Sequence, residues 1–113
     1  MLLTIDIGNT NINLGLFDGD ELCMSARFAT EKQKTNDQFA MDFVNIFFIY
    51  NIDAAKISGS IISSVVPEIT VHIKSAVEKL TENKVLVLSP GVKTGLNIMI
   101  DNPAQLGADL AAG

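Results

Sequence analysis

Asp6, Gly8, Asn9 and Thr10 stand together directly after a short apolar run, Leu2-Leu3-Thr4-Ile5, and that grouping could do phosphate chemistry. A glycine lets the backbone come close to a ligand. Asn9 and Thr10 bring side-chain donors, and a turn of this kind contributes backbone N–H groups. A carboxylate and a phosphate repel each other. Asp6 would therefore act on a phosphate only through a divalent cation such as Mg²⁺, which takes oxygen ligands. The same residue types also make an ordinary hairpin turn, and so short a motif does not separate the two readings.

Elsewhere the chain offers little competing chemistry. It has no CxxC pair, no HExxH, no GxSxG and no GxxxxGK[ST] loop. Cys23 is the single cysteine, sits mid-strand in the pattern and has no histidine near it in sequence, which reads as a buried structural thiol. His72 is the single histidine. It follows Glu68 by one helical turn, on a face that reads as solvated, with no second ligand beside it. Asp109, within Gly107-Ala108-Asp109-Leu110, reads from its position alone as an acid in the first turn of a helix.

Charge and composition narrow the partners. The net charge is −5 and Arg27 is the only arginine among eight basic residues, so there is no clustered positive surface for nucleic acid. An anionic ligand would have to be met by backbone dipoles and a metal. No apolar run is long enough to span a bilayer; the densest, Phe43 to Tyr50, is interrupted by Asn45. The N-terminus lacks the basic start and cleavage site of a signal peptide. A single cysteine rules out an internal disulfide framework and fits a reducing cytoplasm. With 113 residues, 48% of them hydrophobic, the chain can bury one real core.

The elements that would position these residues follow from periodicity. Leu2–Ile7 reads as a strand leading to a turn at Gly8–Thr10. Asn11–Phe17 alternates, with Ile12, Leu14 and Leu16 on one face, and Asp18-Gly19-Asp20 is a hairpin turn. Leu22–Ala29 alternates again, with Leu22, Met24, Ala26 and Phe28 expected on one side and Cys23, Ser25 and Arg27 on the other. Together these strands predict an antiparallel meander. Thr35 predicts a helix N-cap with Gln38 as its capping-box partner, and the helix should reach about Tyr50. Phe39, Phe43 and Phe47 form its stripe, Ala40, Val44 and Phe48 lie beside it, and its phenylalanines are expected in the core. Lys56–Ser63 reads as a buried strand. Pro67 suits the first position of a second helix, whose apolar stripe is Ile69, Ile73, Ala76, Val77 and Leu80. Lys84–Leu88 reads as another buried strand, parallel to the one before the helix. Ser89-Pro90-Gly91 then turns the chain. Leu96–Ile100 reads as an edge strand, and a helix begins near Gln105. The order βββαβαβ in an α/β chain is that of one lobe of the actin-like, Hsp70-like and sugar-kinase architecture. A helix that starts just before Gly113 leads us to expect that residues 1–113 are one lobe of a truncated chain, with the second lobe absent.

Three segments carry a more specific likeness. They are Asp6-Ile7-Gly8-Asn9-Thr10-Asn11, Ile62-Ser63-Ser64-Val65-Val66-Pro67, and Pro90-Gly91-Val92-Lys93-Thr94-Gly95-Leu96 followed by Asp101-Asn102-Pro103 and Gly107-Ala108-Asp109. In this order they closely resemble the type III pantothenate kinases, the family that includes the Bvg accessory factor. The resemblance implies a ribonuclease-H-like lobe, with a mixed sheet, of the acetate-and-sugar-kinase/Hsp70/actin superfamily, and ATP-dependent phosphorylation of pantothenate to 4'-phosphopantothenate, the first step of coenzyme A synthesis. It also implies that Asp6, Ile7, Gly8, Asn9, Thr10, Asn11, Ile12 and Asn13 bind the ATP phosphates, with Asp6 directed at the metal of Mg-ATP. Gly107, Ala108, Asp109 and Leu110 would bind pantothenate, with Asp109 as the proton acceptor. Mg²⁺, a monovalent cation (K⁺ or NH₄⁺, its site in the absent half) and a cytoplasmic homodimer are implied with them.

One residue departs from the family pattern. The commonest motif is Gly-Ala-Asp-Arg, and here Leu110 stands in the arginine's place, where a guanidinium would pair well with a carboxylate. That departure raises the alternative of a non-catalytic regulatory homologue of the same fold. A different phosphotransferase on that fold is a third reading, which the Pro90–Leu96 and Asp101–Asp109 segments argue against. Without the second lobe the chain as given is expected to be inactive or nearly so.

Overall fold

The computed structural model describes residues 1–88. The turn at Ser89–Gly91, the strand at Leu96–Ile100, the helix start near Gln105 and the residues Gly107 to Leu110 lie outside the described residues.

Alternation along the first third of the chain produces the expected meander. β1 (Leu2–Ile7) pairs antiparallel with β2 (Asn11–Asp18), and β2 pairs antiparallel with β3 (Glu21–Ala29). The hairpin between β2 and β3 turns at Gly19, whose φ of +61° an L side chain rarely adopts. β4 (Gly59–Ser64) and β5 (Val85–Leu88) then add to the other side of β1, parallel to it and to each other. The sheet has five strands in the order β3-β2-β1-β4-β5. The β4 region is shorter than its apolar pattern suggests, because Ala54–Lys56 forms a 3₁₀ turn capped by the Asp53 carboxylate. β5 is also less buried than predicted. Val85 is buried, but Leu86 and Val87 are exposed at the end of the described sheet.

The helices obey their local signals. α1 (Asn36–Ile49) opens on the full Thr35–Gln38 capping box, and α2 (Pro67–Thr81) carries its proline in the first turn. Both helices cover the same sheet face. Phe39, Phe43 and Phe47 from α1 and Ile69, Ile73, Ala76 and Val77 from α2 close over Leu3, Ile5, Ile7, Ile12, Leu14, Leu16 and Met24. The Phe28 ring meets Phe43 edge-on, with centroids 5.8 Å apart. Burying an aromatic side chain of this kind contributes about 1.5–3 kcal/mol, so the stripe anchors α1.

Four sequence expectations are corrected here. Phe48 is not core. It is 83% exposed and lies on the outer side of α1 with Met41 and Ile49, because at 3.6 residues per turn it stands about 140° around the helix from Phe43. Leu22 does not share a face with Met24. A bulge between Leu16 and Phe17 in the β2–β3 pairing sets Leu22 opposite Phe17 and Met24 opposite Leu16. The extra residue, Cys23, breaks the two-residue period, so Leu22 moves to the sheet face opposite the helices. Cys23 itself is exposed and not the buried thiol expected, because it sits at this bulge near the end of the edge strand β3. His72 is half-buried rather than fully solvated. Its Nδ1 meets the Asn36 side-chain oxygen at the start of α1, and the Asn36 amide donates to the Ser75 hydroxyl at 3.4 Å. This polar seam joins α1 to α2.

Candidate phosphate-binding site

The end of β1, the loop 8–10 and the start of β2 are built around one closed turn. Gly8 N–H donates to the Asn11 carbonyl at 2.9 Å. A Cβ on Gly8 would stand 3.2 Å from that same carbonyl oxygen, which explains why the turn uses glycine. The Gly8 amide is therefore committed to the turn and is not available to a ligand. The N–H groups of Asn9 and Thr10 make no backbone bond among the described residues, and both side chains are exposed. Those two amides, the Asn9 carboxamide and the Thr10 hydroxyl make the loop a donor surface.

A residue that sequence reasoning missed holds this loop in place. Thr30, just past the end of β3, donates its hydroxyl to the Gly8 carbonyl at 2.7 Å, and its N–H donates to the Thr10 carbonyl at 2.9 Å. Because the N–H and C=O of one peptide unit point opposite ways, the Gly8 carbonyl turned to Thr30 leaves the Asn9 N–H pointing away from that residue. No short motif contains Thr30. Its signal is its place one residue beyond Ala29, the strand partner of Asn11.

The other side of the site comes from β4. Val65 N–H donates to the Ile7 carbonyl at 3.1 Å, and the Ser64 hydroxyl accepts from Val66 N–H at 2.9 Å. These bonds fix the start of α2 against the end of β1, so the carboxyl ends of β1 and β4 open on the same edge of the sheet. Ligands of open α/β sheets bind at such an edge, where the topology switches.

The predicted phosphate residues divide by face. Ile7 and Ile12 are fully buried among the core residues, so neither can offer a ligand its side chain. Asp6 lies on the opposite face and is half-buried, with Asn13 as its partner on β2 and Ser63 on β4. Asn13 is exposed and Asn11 is half-buried. A shallow cavity of about 200 Å³ runs from Asp6 and Asn13 past Thr4 and Gly15 to Phe17 and Leu22.

Among the described residues no three acids, histidines or cysteines are placed to hold a metal ion. Asp6 offers a lone carboxylate beside the Asn13 amide and the Ser63 hydroxyl, all of them potential oxygen ligands. That donor set suits Mg²⁺, which commonly uses one or two carboxylates, keeps several waters and takes the rest of its shell from phosphates. Asp6 with Asn13 and Ser63 would therefore fit an ion that takes the rest of its ligands from phosphate and water.

Comparison with known proteins bears on the same residues. The sequence model of a family described as type III pantothenate kinase matches residues 2–113. A type III pantothenate kinase of Brevibacillus brevis is 43% identical over 109 residues, covering 96% of this chain and 43% of that protein. One from an Exiguobacterium species is 40% identical over 109 residues, with the same coverage of 96% and 43%. The chain therefore spans less than half the length of these relatives. Among solved structures, a ROK hexokinase from Thermus thermophilus matches with a TM-score of 0.57 at 16% identity, over 78% of this chain and 34% of that one. A Porphyromonas gingivalis protein assigned as an N-acetylglucosamine kinase matches with a TM-score of 0.61 at 12% identity, over 80% and 34%. At such identities the likeness is one of fold, and it is the fold that the strand order predicts.

Proposed function

This chain belongs to the type III pantothenate kinase family, and we propose that it is the N-terminal lobe of an enzyme that transfers the γ-phosphate of ATP to pantothenate. The observation that carries the reading is the tethered loop. Asp6, the free amides of Asn9 and Thr10, and the carboxyl ends of β1 and β4 share one sheet edge, and Thr30 holds the loop shut behind them. Family membership adds the chemistry. Phosphoryl transfer depends mainly on positioning and on neutralising charge, with a carboxylate to accept the hydroxyl proton.

On this reading each residue of the chain has a plain task. The Asn9 and Thr10 amides and hydroxyl donate to phosphate oxygens. The Asp6 carboxylate, backed by Asn13 and Ser63, would hold Mg²⁺, which supplies neutralisation of the phosphate charge when bound. The buried Ile7 and Ile12 side chains lock the backbone that carries these groups. Asp109, outside the described residues, is proposed as the acceptor of the pantothenate hydroxyl proton, with Gly107, Ala108 and Leu110 beside the same substrate. A monovalent cation (K⁺ or NH₄⁺), a homodimer and a cytoplasmic location belong to the same proposal; among the described residues no helix is long and apolar enough to cross a membrane. The reading of a non-catalytic homologue, raised by Leu110, draws no support from the relatives, whose names are those of kinases.

The test is turnover by the complete gene product. ATP-dependent phosphate transfer to pantothenate is expected, and Asp109→Asn should suppress it without changing the thermal melt. Full activity in that variant would sink the base assignment. A wild-type protein that phosphorylates hexoses and not pantothenate would sink the substrate.

A further inference from the structure

Strand register places Ser63, Asp6, Asn13 and Arg27 in one row across β4, β1, β2 and β3. Directly opposed partners share a sheet face, so all four lie on the face that the described helices leave open. Neighbouring strands run about 4.8 Å apart, which sets Arg27 about 10 Å from Asp6 with Asn13 between them. The two opposite charges are thus too far apart at the backbone to be an ordinary cross-strand ion pair. Arg27 is exposed, and among the described residues it makes no ion pair; the three present all use lysines. In a chain of net charge −5 that has carboxylates to spare, the only arginine is left on the Asp6 row with no acid against it.

We propose that Arg27 makes a direct contact to a phosphate oxygen of the nucleotide held at Asp6. A metal-bound phosphate presents both signs of charge. Its cation seeks a carboxylate, and its remaining oxygens seek a donor. Asp6 answers the first and Arg27 the second, with the Asn13 amide bridging the gap as both donor and acceptor. The guanidinium fork matches two phosphate oxygens at once, which an ammonium cannot do. The assignment rests on the reading of Asp6 to Asn13 as the nucleotide site, and it extends that site to a strand that the loop motif does not include.

Arg27→Gln and Arg27→Lys in the complete gene product test it by titration calorimetry with Mg·ATP, Mg·ADP, adenosine and pantothenate. Arg27→Gln should weaken Mg·ATP and Mg·ADP about ten- to a hundredfold, the range for losing a hydrogen bond to a charged group. Adenosine and pantothenate affinities should stay within about twofold, and the thermal melt should not move, because an exposed side chain without partners is being changed. Arg27→Lys should recover part of the loss by keeping the charge. Mg·ATP binding by Arg27→Gln within about twofold of wild type overturns the assignment while leaving the nucleotide site standing. So does a loss confined to pantothenate. A wild-type protein that binds no Mg·ATP overturns the nucleotide site and Arg27 together.

Discussion

Thr30→Val is the sharpest perturbation of the loop tether. It keeps the side-chain volume and removes only the hydroxyl that donates to the Gly8 carbonyl at 2.7 Å. A hydrogen bond of this kind is worth about 0.5–1.5 kcal/mol net, and a methyl against the abandoned carbonyl adds to the cost. A total near 1–2 kcal/mol would lower the melting temperature by about 4–8 °C per kcal/mol in a domain of this size. The second tether, Thr30 N–H to the Thr10 carbonyl, survives the change, so the loop should loosen without leaving the sheet. Ordering it again on binding then falls to the ligand. A cost of about 0.7–1.4 kcal/mol would raise the Kd for Mg·ATP about three- to tenfold. Thr30→Ser should restore both quantities. Thr81→Val is the control, because its hydroxyl donates to the Val77 carbonyl at 2.9 Å within α2, away from the loop. It should lower the melt and leave nucleotide affinity unchanged. If Thr30→Val lowers the melt and still binds Mg·ATP as tightly as wild type, the tether is structural only and the argument from it fails.

Further expectations concern the fold that carries the site. Phe43→Ala should cost about 3–5 kcal/mol in a urea melt, whereas Phe48→Ala should stay within about 0.5 kcal/mol, and equal effects would contradict the assignment of the two faces of α1. Gly15→Ala would set a Cβ 2.9 Å from the Thr4 hydroxyl, which itself donates to the Gly15 carbonyl. We expect about 1–3 kcal/mol of destabilisation, largely relieved when Thr4→Ala is added, and a double-mutant cycle without coupling would show that the strands simply part.

Local signals were enough for the elements. Thr35 and Gln38 cap α1, Pro67 opens α2, and alternation sets β1 to β3, because each of these depends on neighbours a few residues apart. The motif from Asp6 to Asn13 was also legible, since a strand, an acid and a turn follow one another along the chain, and the βββαβαβ order of the described elements was enough to suggest the lobe. Pairing decided the rest. One bulge at Leu16/Phe17 reversed the side of Leu22, which no periodicity within β3 could reveal. The side of α1 that packs on the sheet decided that Phe43 is buried and Phe48 is not. Asn36 reached His72 only because two helices separated by a strand pack side by side. Thr30 and Arg27 stand far from Asp6 in sequence and close to its loop or on its row in the sheet, brought there by hairpin register. The chain by itself declared a strand, an acid and a tight turn in sequence. The register of four strands decided which side chains could stand around them, since contacts between distant residues are set by pairing and packing rather than by spacing along the chain.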